Sequence, residues 1–362
     1  MAMRWIAPLG WTDHPRGRRQ HEQPTPRTGG LALLAALVVG QFFGAAHLPL
    51  SGAEWSVVYA MGFMGMLDDR FELRARWKAL AGLAAAAFLA WLTWDILRQA
   101  GAYLPLFTGH LATHTGLAVV LLWAWYWSIP QACNLIDGMN GLALGFFLML
   151  AVSMDLPLGD SGHGAYFLGT LMALLLLNWP KGRQFLGDSG SLSLGTLFAI
   201  LGVHLLGGTS PNRLLWAFAY PIVDVLMVMA IRLSNGKPLG EGDRNHFHHH
   251  WQRVMGSGEE RLDGKRSAAA LGLTLLPAFA CMQVLQDYPR HRAVAWTGLL
   301  WLVSTATWFY FSSVNRQRPP LEAPGPLPAT QSGERGLAAA SRSGESMALF
   351  RQDQGGGSAG SR

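Results

Sequence analysis

The sequence predicts an all-α, polytopic integral membrane protein of about ten transmembrane helices with both termini in the cytoplasm. Three observations carry that prediction. Half of the 362 residues are hydrophobic and only 14% are charged, against about 25% charged residues in soluble domains. Mean hydropathy is +0.21, and the apolar residues gather in runs close to the roughly 20 that a bilayer-crossing helix needs. Fifteen Trp and 43 Gly agree, since Trp favours bilayer interfaces and Gly lets membrane helices touch.

The runs fall in order at roughly 29–50, 54–67, 77–97, 113–132, 139–156, 163–180, 190–209, 213–231, 267–286 and 293–313. The second is the shortest, because Glu54 trims its uncharged part and Asp68 ends it. The first ten residues, with Arg4 and Pro8, are too short for a signal peptide or an anchor. Ten spans put both termini on one side, and 24 of the 28 Lys and Arg fall in the termini and in the loops on that side. Positive residues stay cytoplasmic, so these segments are expected at the cytoplasmic face of the inner membrane. Residues 1–314 therefore read as a membrane-embedded domain. Residues 315–362 turn to Pro, Gly, Ser and Ala with scattered charge, the composition of a disordered cytoplasmic tail.

Several classes are excluded. Cys133 and Cys281 lie in apolar stretches and cannot build a disulfide framework or a four-ligand zinc site. The net charge of +6 is spread over many loops and is not a nucleic-acid signature.

Four polar segments interrupt the apolar pattern. Asp68 and Asp69 close a span in GMLDDRFELRARWK, and Asn134, Asp137 and Asn140 lie between two spans in NLIDGMNG. Asp188 precedes a span in FLGDSGS, and EGDRNHFHHH supplies Asp243, Arg244, His246, His248, His249 and His250. By the span count all four lie on the cytoplasmic side, as one shared site requires. Carboxylates at membrane-facing helix ends are unfavourable without a cation, water or partner. Several together suit a hard cation such as Mg²⁺, with Mn²⁺ as its substitute, which takes one or two carboxylates and leaves positions for water and phosphate oxygens. Arg27, Lys78, Arg244 and the imidazoles could neutralise charge in a phosphoryl transfer, whose catalysis is mostly positioning and electrostatics.

Each segment also has a structural reading. Asp68-Asp69 beside Arg70 could be a helix cap, NLIDGMNG a Gly-rich turn, and Asp188 before Ser189 and Gly190 a helix N-cap. The histidine cluster could bind zinc, although no Cys accompanies it. His47, His114, His163 and His204 read as packing or interfacial groups. Asp224 falls mid-span in PIVDVLMVMAIR, where an acid is functional by default and pairing with a neighbouring helix is the alternative.

Taken together, these segments resemble the polyprenyl-phosphate N-acetylhexosamine-1-phosphate transferases, the glycosyltransferase family 4 membrane enzymes. The resemblance runs in order over most of residues 13–250: DHPRGRRQHEQPTPRTGG, GMLDDRFELRARWK, NLIDGMNGLALG, FLGDSGSLSLG, PIVDVLMVMAIR and DRNHFHHH. It implies transfer of a sugar 1-phosphate from a UDP-sugar to a polyprenyl phosphate such as undecaprenyl phosphate, with release of UMP and with Mg²⁺ at a cytoplasmic-face site. The H-x-H-H loop, His246, His248 and His249, looks more like the N-acetylglucosamine-type members than the phospho-N-acetylmuramoyl-pentapeptide transferases. By position, Asp188 resembles the family's metal-binding aspartate, Asp68 and Asp69 its essential pair, and Asn134 with Asp137 its nucleotide-and-metal loop. The catalytic set expected is thus Asp68, Asp69 and Asp137, the metal set Asp188 and Asn134, and the substrate contacts Arg27, Lys78, Asn134, Asn140, Arg244, His246, His248 and His249.

Two departures stand out. Many relatives carry a second aspartate where this chain has Asn140. They also usually have a span before the segment that carries PTPR, DHPRGRRQHEQPTPRTGG, where this chain has 12 residues. The expected partners are the UDP-N-acetylhexosamine, the polyprenyl phosphate and the bilayer, with no nucleic acid and with a homodimer allowed. The rivals are a phospho-N-acetylmuramoyl-pentapeptide transferase-like enzyme, a transferase for a modified UDP-N-acetylhexosamine and, from another class, a secondary transporter of an anionic substrate, which needs ionisable residues at mid-membrane. Asp224 alone fits that last pattern.

Overall fold

The computed structural model describes residues 11–13, 24–44, 48–100, 115–154, 163–205, 217–238, 245–255 and 292–317. Ten α-helices and one two-residue strand pair make up the described elements. The helices are α1 Gly29–Phe42, α2 Gly52–Phe71, α3 Ala75–Ala100, α4 Thr115–Leu135, α5 Leu142–Ser153, α6 His163–Asn178, α7 Gly187–Leu205, α8 Ala219–Ser234, α9 Phe247–Met255 and α10 Arg292–Gln317. The strands β1 Thr12–Asp13 and β2 Thr25–Pro26 pair antiparallel. The all-α expectation is met.

Helix α7 is the centre. Every residue from Ser189 to Val203 is buried, the mark of a helix surrounded on all sides. Its sequence, SGSLSLGTLFAILGV, alternates small residues with bulky ones, so α1, α2 and α4 can approach closely. A Cβ on Gly65 of α2 would stand 2.3 Å from the Asp188 carbonyl oxygen, and one on Gly30 of α1 would stand 2.1 Å from the Gly190 nitrogen. Phe198 of α7 then stacks on Phe147 of α5 at 5.5 Å and tilts against Phe167 of α6 at 5.9 Å. Outward, Val38, Phe42, Phe63, Phe88, Trp91, Leu176, Leu226, Leu300 and Trp308 are exposed. Apolar side chains over so many helix faces are what a lipid environment accommodates.

Nine of the ten expected spans find a helix within them, and the run at 267–286 lies outside the described residues. Of the described helices, Ala75–Ile96 is the one long and apolar enough to cross a membrane by itself, while α1, α5 and α6 are shorter apolar helices.

The boundaries differ from expectation for local reasons. Helix α1 stops at Phe42 instead of running to 50, because the chain turns at Gly44 with φ +69, a left-handed conformation open to glycine. Helix α2 is longer than expected at both ends. Ser51 and Glu54 form a reciprocal capping box at its start, which makes Glu54 a cap residue, and Asp68 and Asp69 lie inside its last turn. Helix α10 runs to Gln317, past the expected start of the tail, and residues from 318 on lie outside the description.

Candidate functional site

The site is built where six chain segments meet at one end of the bundle. The strand pair β1-β2 and the start of α1 fasten the N-terminal segment to the turn before α7. Phe185 N donates to the Pro26 carbonyl at 2.9 Å, and Gly29 N and Gly30 N donate to the Phe185 and Leu186 carbonyls at 3.0 and 2.8 Å. Arg27 is thereby held beside two acids, with Nη2 3.3 Å from Asp13 and Nη1 3.8 Å from Asp69.

Asp69 reaches from the last turn of α2 to the first turn of α7. Its Oδ1 accepts from Asp188 N at 3.0 Å, and its Oδ2 accepts from Ser189 N at 3.0 Å and from Ser189 Oγ at 2.9 Å. These amides are orphan donors of a helix N-terminus, so the acid satisfies them and faces the positive end of the dipole. Gly187, with φ +73, makes this approach possible, since a Cβ there would stand 2.7 Å from Asp69 Oδ2. Asp69 thus fixes the turn that presents Asp188.

Asp68, Lys78 and Asp188 form a second layer. Lys78 Nζ, near the start of α3, donates to Asp68 Oδ2 at 2.8 Å and to Asp188 Oδ2 at 3.1 Å. The other oxygen of Asp68 accepts from Leu73 N at 2.8 Å. Asn134, from the end of α4, brings Nδ2 to 3.5 Å from Asp188 Oδ2, and its own Oδ1 accepts from Ser191 Oγ. Asp137 lies in the same loop and accepts from the Gly187 backbone N–H.

Asp13, Asp68, Asp69, Asp137 and Asp188 therefore share two cations, and burial and crowding shift the proton affinities of the last four. Burial and the nearby Asp188 push Asp68 and Asp69 up to about 6. Burial, with the charges of Asp188 and Asp69, pushes Asp137 up to about 7. Asp188 goes the other way: burial acts to raise it, but its hydrogen bond with Asp68 and the charge of Lys78 hold it below the usual carboxylate range. Among the described residues no three His, Cys, Asp or Glu are already arranged to grip a metal. Asp188 and Asp68, flanking one ammonium, are the groups that could take part of a cation's shell.

The histidines reach the same place from the other side. His248 lies against Gly138, where a Cβ would stand 2.2 Å from His248 Nε2. Its ring runs parallel to that of His246 at 5.7 Å and tilts against that of His249 at 4.1 Å. Burial, with its three histidine neighbours, holds His248 well below the ordinary imidazole range, so it is a neutral ring. His248 and His249 stand on a helix, since Phe247–Met255 is helical.

The structure thus gathers Arg27, Asp68, Asp69, Lys78, Asn134, Asp137, Asp188 and His248, with His246 and His249 beside His248. Asn140 is turned elsewhere: its Nδ2 donates to the Pro180 carbonyl at 3.5 Å, against Gly182. Arg244 and Asp243 lie outside the described residues. Sequence reasoning missed Asp13, Ser189 and Ser191. The available signal for the serines was their spacing behind Asp188 in DSGS, at the mouth of a buried helix.

The sequence pattern of glycosyl transferase family 4 matches residues 53–206, a stretch that spans α2 to α7. Among curated proteins, the chain is 30% identical over 259 residues to an undecaprenyl-phosphate alpha-N-acetylglucosaminyl 1-phosphate transferase of Yersinia pestis, covering 67% of this chain and 69% of that one. It is 27% identical over 344 residues to a decaprenyl-phosphate N-acetylglucosaminephosphotransferase of Mycobacterium tuberculosis, covering 83% and 82%. An Escherichia coli K12 protein with the same name as the Yersinia one is 26% identical over 322 residues, covering 81% and 80%.

Proposed function

We propose, since the chain belongs to glycosyl transferase family 4, that it transfers N-acetylglucosamine 1-phosphate from its UDP-sugar to a polyprenyl phosphate, undecaprenyl phosphate first, and releases UMP. Such a reaction is the first membrane step in making a cell-envelope polysaccharide. The observation that carries the reading is the meeting of Asp68, Asp69, Asp137 and Asp188 with Arg27 and Lys78 at one end of a largely apolar bundle. The relatives' names, which pair a polyprenyl phosphate with N-acetylglucosamine, support the substrates.

In the reaction an oxygen of the lipid phosphate forms a bond to the sugar-side phosphorus of the UDP-sugar. The bond from that phosphorus to the bridging oxygen breaks, and UMP departs with the oxygen. Arg27 and Lys78 supply positive charge for the diphosphate. Asp69 spends both oxygens on the α7 turn, whereas Asp68 holds the Leu73 amide with one oxygen and Lys78 with the other, so Asp68, acting through Lys78, is the member of the pair suited to orient the lipid phosphate. Asp137, poised near neutrality, can take or return a proton. Asn134 and Ser191 brace Asp188.

The charge balance fits a hard divalent cation, because five acids, Asp13 included, face two permanent cations, and burial together with the neighbouring carboxylates raises three of the acids. Asp188 would hold Mg²⁺ with Asp68 adjacent and water and phosphate oxygens completing the shell, while Asn134, expected as a second ligand, turns Nδ2 to Asp188 and gives its Oδ1 to Ser191, so it would steady Asp188 instead. When bound, it neutralises charge on the diphosphate oxygens. Ten spans with the site at the cytoplasmic face of the inner membrane complete the proposal, supported by the basic loops at that end. The transporter reading loses its one supporting residue, since Asp224 is spent on a partner inside the protein.

The test is purified protein given polyprenyl phosphate, Mg²⁺ and a panel of UDP-sugars, scored for UMP release. Lipid-dependent release with UDP-N-acetylglucosamine is expected. No release with any UDP-N-acetylhexosamine would defeat the assignment.

A further inference from the structure

Asp224 is fully buried on α8, away from the four carboxylates of the site, and both of its oxygens are committed to the histidine segment. Oδ2 lies 2.7 Å from His246 Nδ1, and Oδ1 accepts from Phe247 N at 2.6 Å. Phe247 is the first residue of α9, so its amide is one of the orphan donors of a helix start. A carboxylate from a different helix fills that need and also faces the positive end of the α9 dipole. The Phe247 ring then packs on Tyr220 of the same α8, at 5.8 Å, and on Phe309 of α10, at 5.5 Å. The place where α9 begins and its rotation about its axis are set by these contacts.

One residue further on, the consequence reaches the site. The His248 ring lies parallel to that of His246, with 9° between their planes, and rests on Gly138, the neighbour of Asp137. His248 is 3% exposed, and its Nδ1 has no hydrogen-bond partner among the described residues. A buried ring held this way keeps its position only if the helix that carries it is fixed. A carboxylate on one ring nitrogen of a histidine also sets which nitrogen bears the proton. With Asp224 accepting from Nδ1–H, His246 is held in a single tautomer.

We propose that Asp224 is a positioning residue of the transfer reaction: it fixes the tautomer of His246 and the start of α9, and so holds His248 against Gly138 beside Asp137. The proposal rests on the transferase reading above. Its substitution is informative because Asp224→Asn keeps an oxygen for Phe247 N but presents an NH₂ group to His246, which forces the opposite tautomer. Asp224→Ala removes both.

The experiment compares wild type, Asp224→Asn, His246→Ala and their double variant in UMP release, with kcat and the KM for UDP-N-acetylglucosamine measured separately and unfolding midpoints measured in detergent. Each single variant should lose about 10–100-fold in kcat/KM with a near-normal midpoint, and the double variant should be no slower than the slower single one. An Asp224→Asn rate within twofold of wild type, or losses that multiply in the double variant, would overturn the proposal. If Asp224→Asn does not fold, His246→Ala decides alone, because it keeps the cap: a wild-type rate sinks the idea. Hydrogen exchange of residues 247–255 separates this test from the transferase reading, since it needs no turnover. Asp224→Ala should speed exchange there while Asp224→Asn should not, and unchanged exchange in Asp224→Ala counts against the cap.

Discussion

Helices α2 and α7 are pinned to each other at both ends by an acid, and the two pins differ in kind. At the far end Glu54 takes hydrogen bonds from Ser51 N at 2.7 Å and Ser51 Oγ at 2.8 Å, and its other oxygen lies 2.6 Å from His204 Nε2. One acid, one imidazole and one cap leave nothing over. At the near end Asp69 makes an equally complete set of bonds to α7, but Asp68, Asp137 and Asp188 crowd around it with two cations for the group. A purely structural clamp gives the oxygens of a single acid their partners. The near end carries more acids than cations, the imbalance that the proposed Mg²⁺ would offset, and this difference separates a candidate active site from a helix clasp built of similar residues.

The largest break in that comparison should come from Asp188→Asn. It removes the acid that Lys78 and Asn134 converge on while leaving the Asp69 bonds to the α7 backbone intact, so the fold should survive. Turnover should fall by at least about 10²–10³-fold, with the unfolding midpoint close to wild type. A near-normal rate would remove Asp188 from the chemistry. Asp69→Asn should differ in kind, because it unfastens the α7 turn: UMP release and the unfolding midpoint should fall together.

Glu54→Gln sharpens the contrast from the other end. A buried pair broken on one side costs about 1–3 kcal/mol, so the unfolding midpoint should drop. The kcat of the folded fraction should stay within about twofold, since nothing at that end touches the carboxylate cluster. A selective loss of kcat with an unchanged midpoint would show that the two ends are not separable.

The two ends were unequally legible in the sequence. Asp68, Asp69, Asp137 and Asp188 stood out because charges at the edges of apolar runs demand a reason, and Lys78 and Arg27 because their signs match. Helix existence was equally plain from the runs, but boundaries were not. Hydropathy continues from Phe43 to Leu50 although the backbone turns at Gly44. Glu54 read as an interruption because its partners are a cap three residues away and His204, 150 residues on. Helix α9 escaped notice because three adjacent imidazoles carry no apolar period and its start is set by Asp224 from another helix. Ser189 and Ser191 looked like packing residues, since nothing local says that their hydroxyls serve Asp69 and Asn134.

A smaller effect should appear in the pH dependence of stability without metal. Asp68 and Asp69, raised to about 6, and Asp137, raised to about 7, hold protons in the folded protein that the unfolded chain releases near pH 4. Their contribution to stability is complete below that pH and fades as pH rises through 6 and 7. Asp188, shifted down, contributes with the opposite sign, and its share is lost only as pH falls below about 4. Protein stripped with a chelator should therefore unfold at lower temperature at pH 8 than at pH 5, and Mg²⁺ should flatten the slope by supplying the missing charge. A midpoint that rises from pH 5 to pH 8 in the chelated protein would show that the surplus is not there.

The smallest effect belongs to Asn140, where many relatives have an aspartate. By sequence, Asn140 is expected among the substrate contacts. In the structure Asn140 reaches the Pro180 carbonyl through a long 3.5 Å contact and lies against Gly182, and none of its bonds goes to Asp188, Asn134 or Asp137. Asn140→Asp forfeits one weak hydrogen bond and sets a carboxylate near a carbonyl oxygen, at a place open enough for water to screen the charge. The added charge also stands outside the group that Lys78 bridges, so it does not compete for that ammonium. We expect kcat/KM within about threefold of wild type and an unfolding midpoint lowered slightly or not at all. A loss on the scale expected for Asp188→Asn, in folded protein, would mean that the amide works directly on the substrate and that the near end extends along this loop to α6.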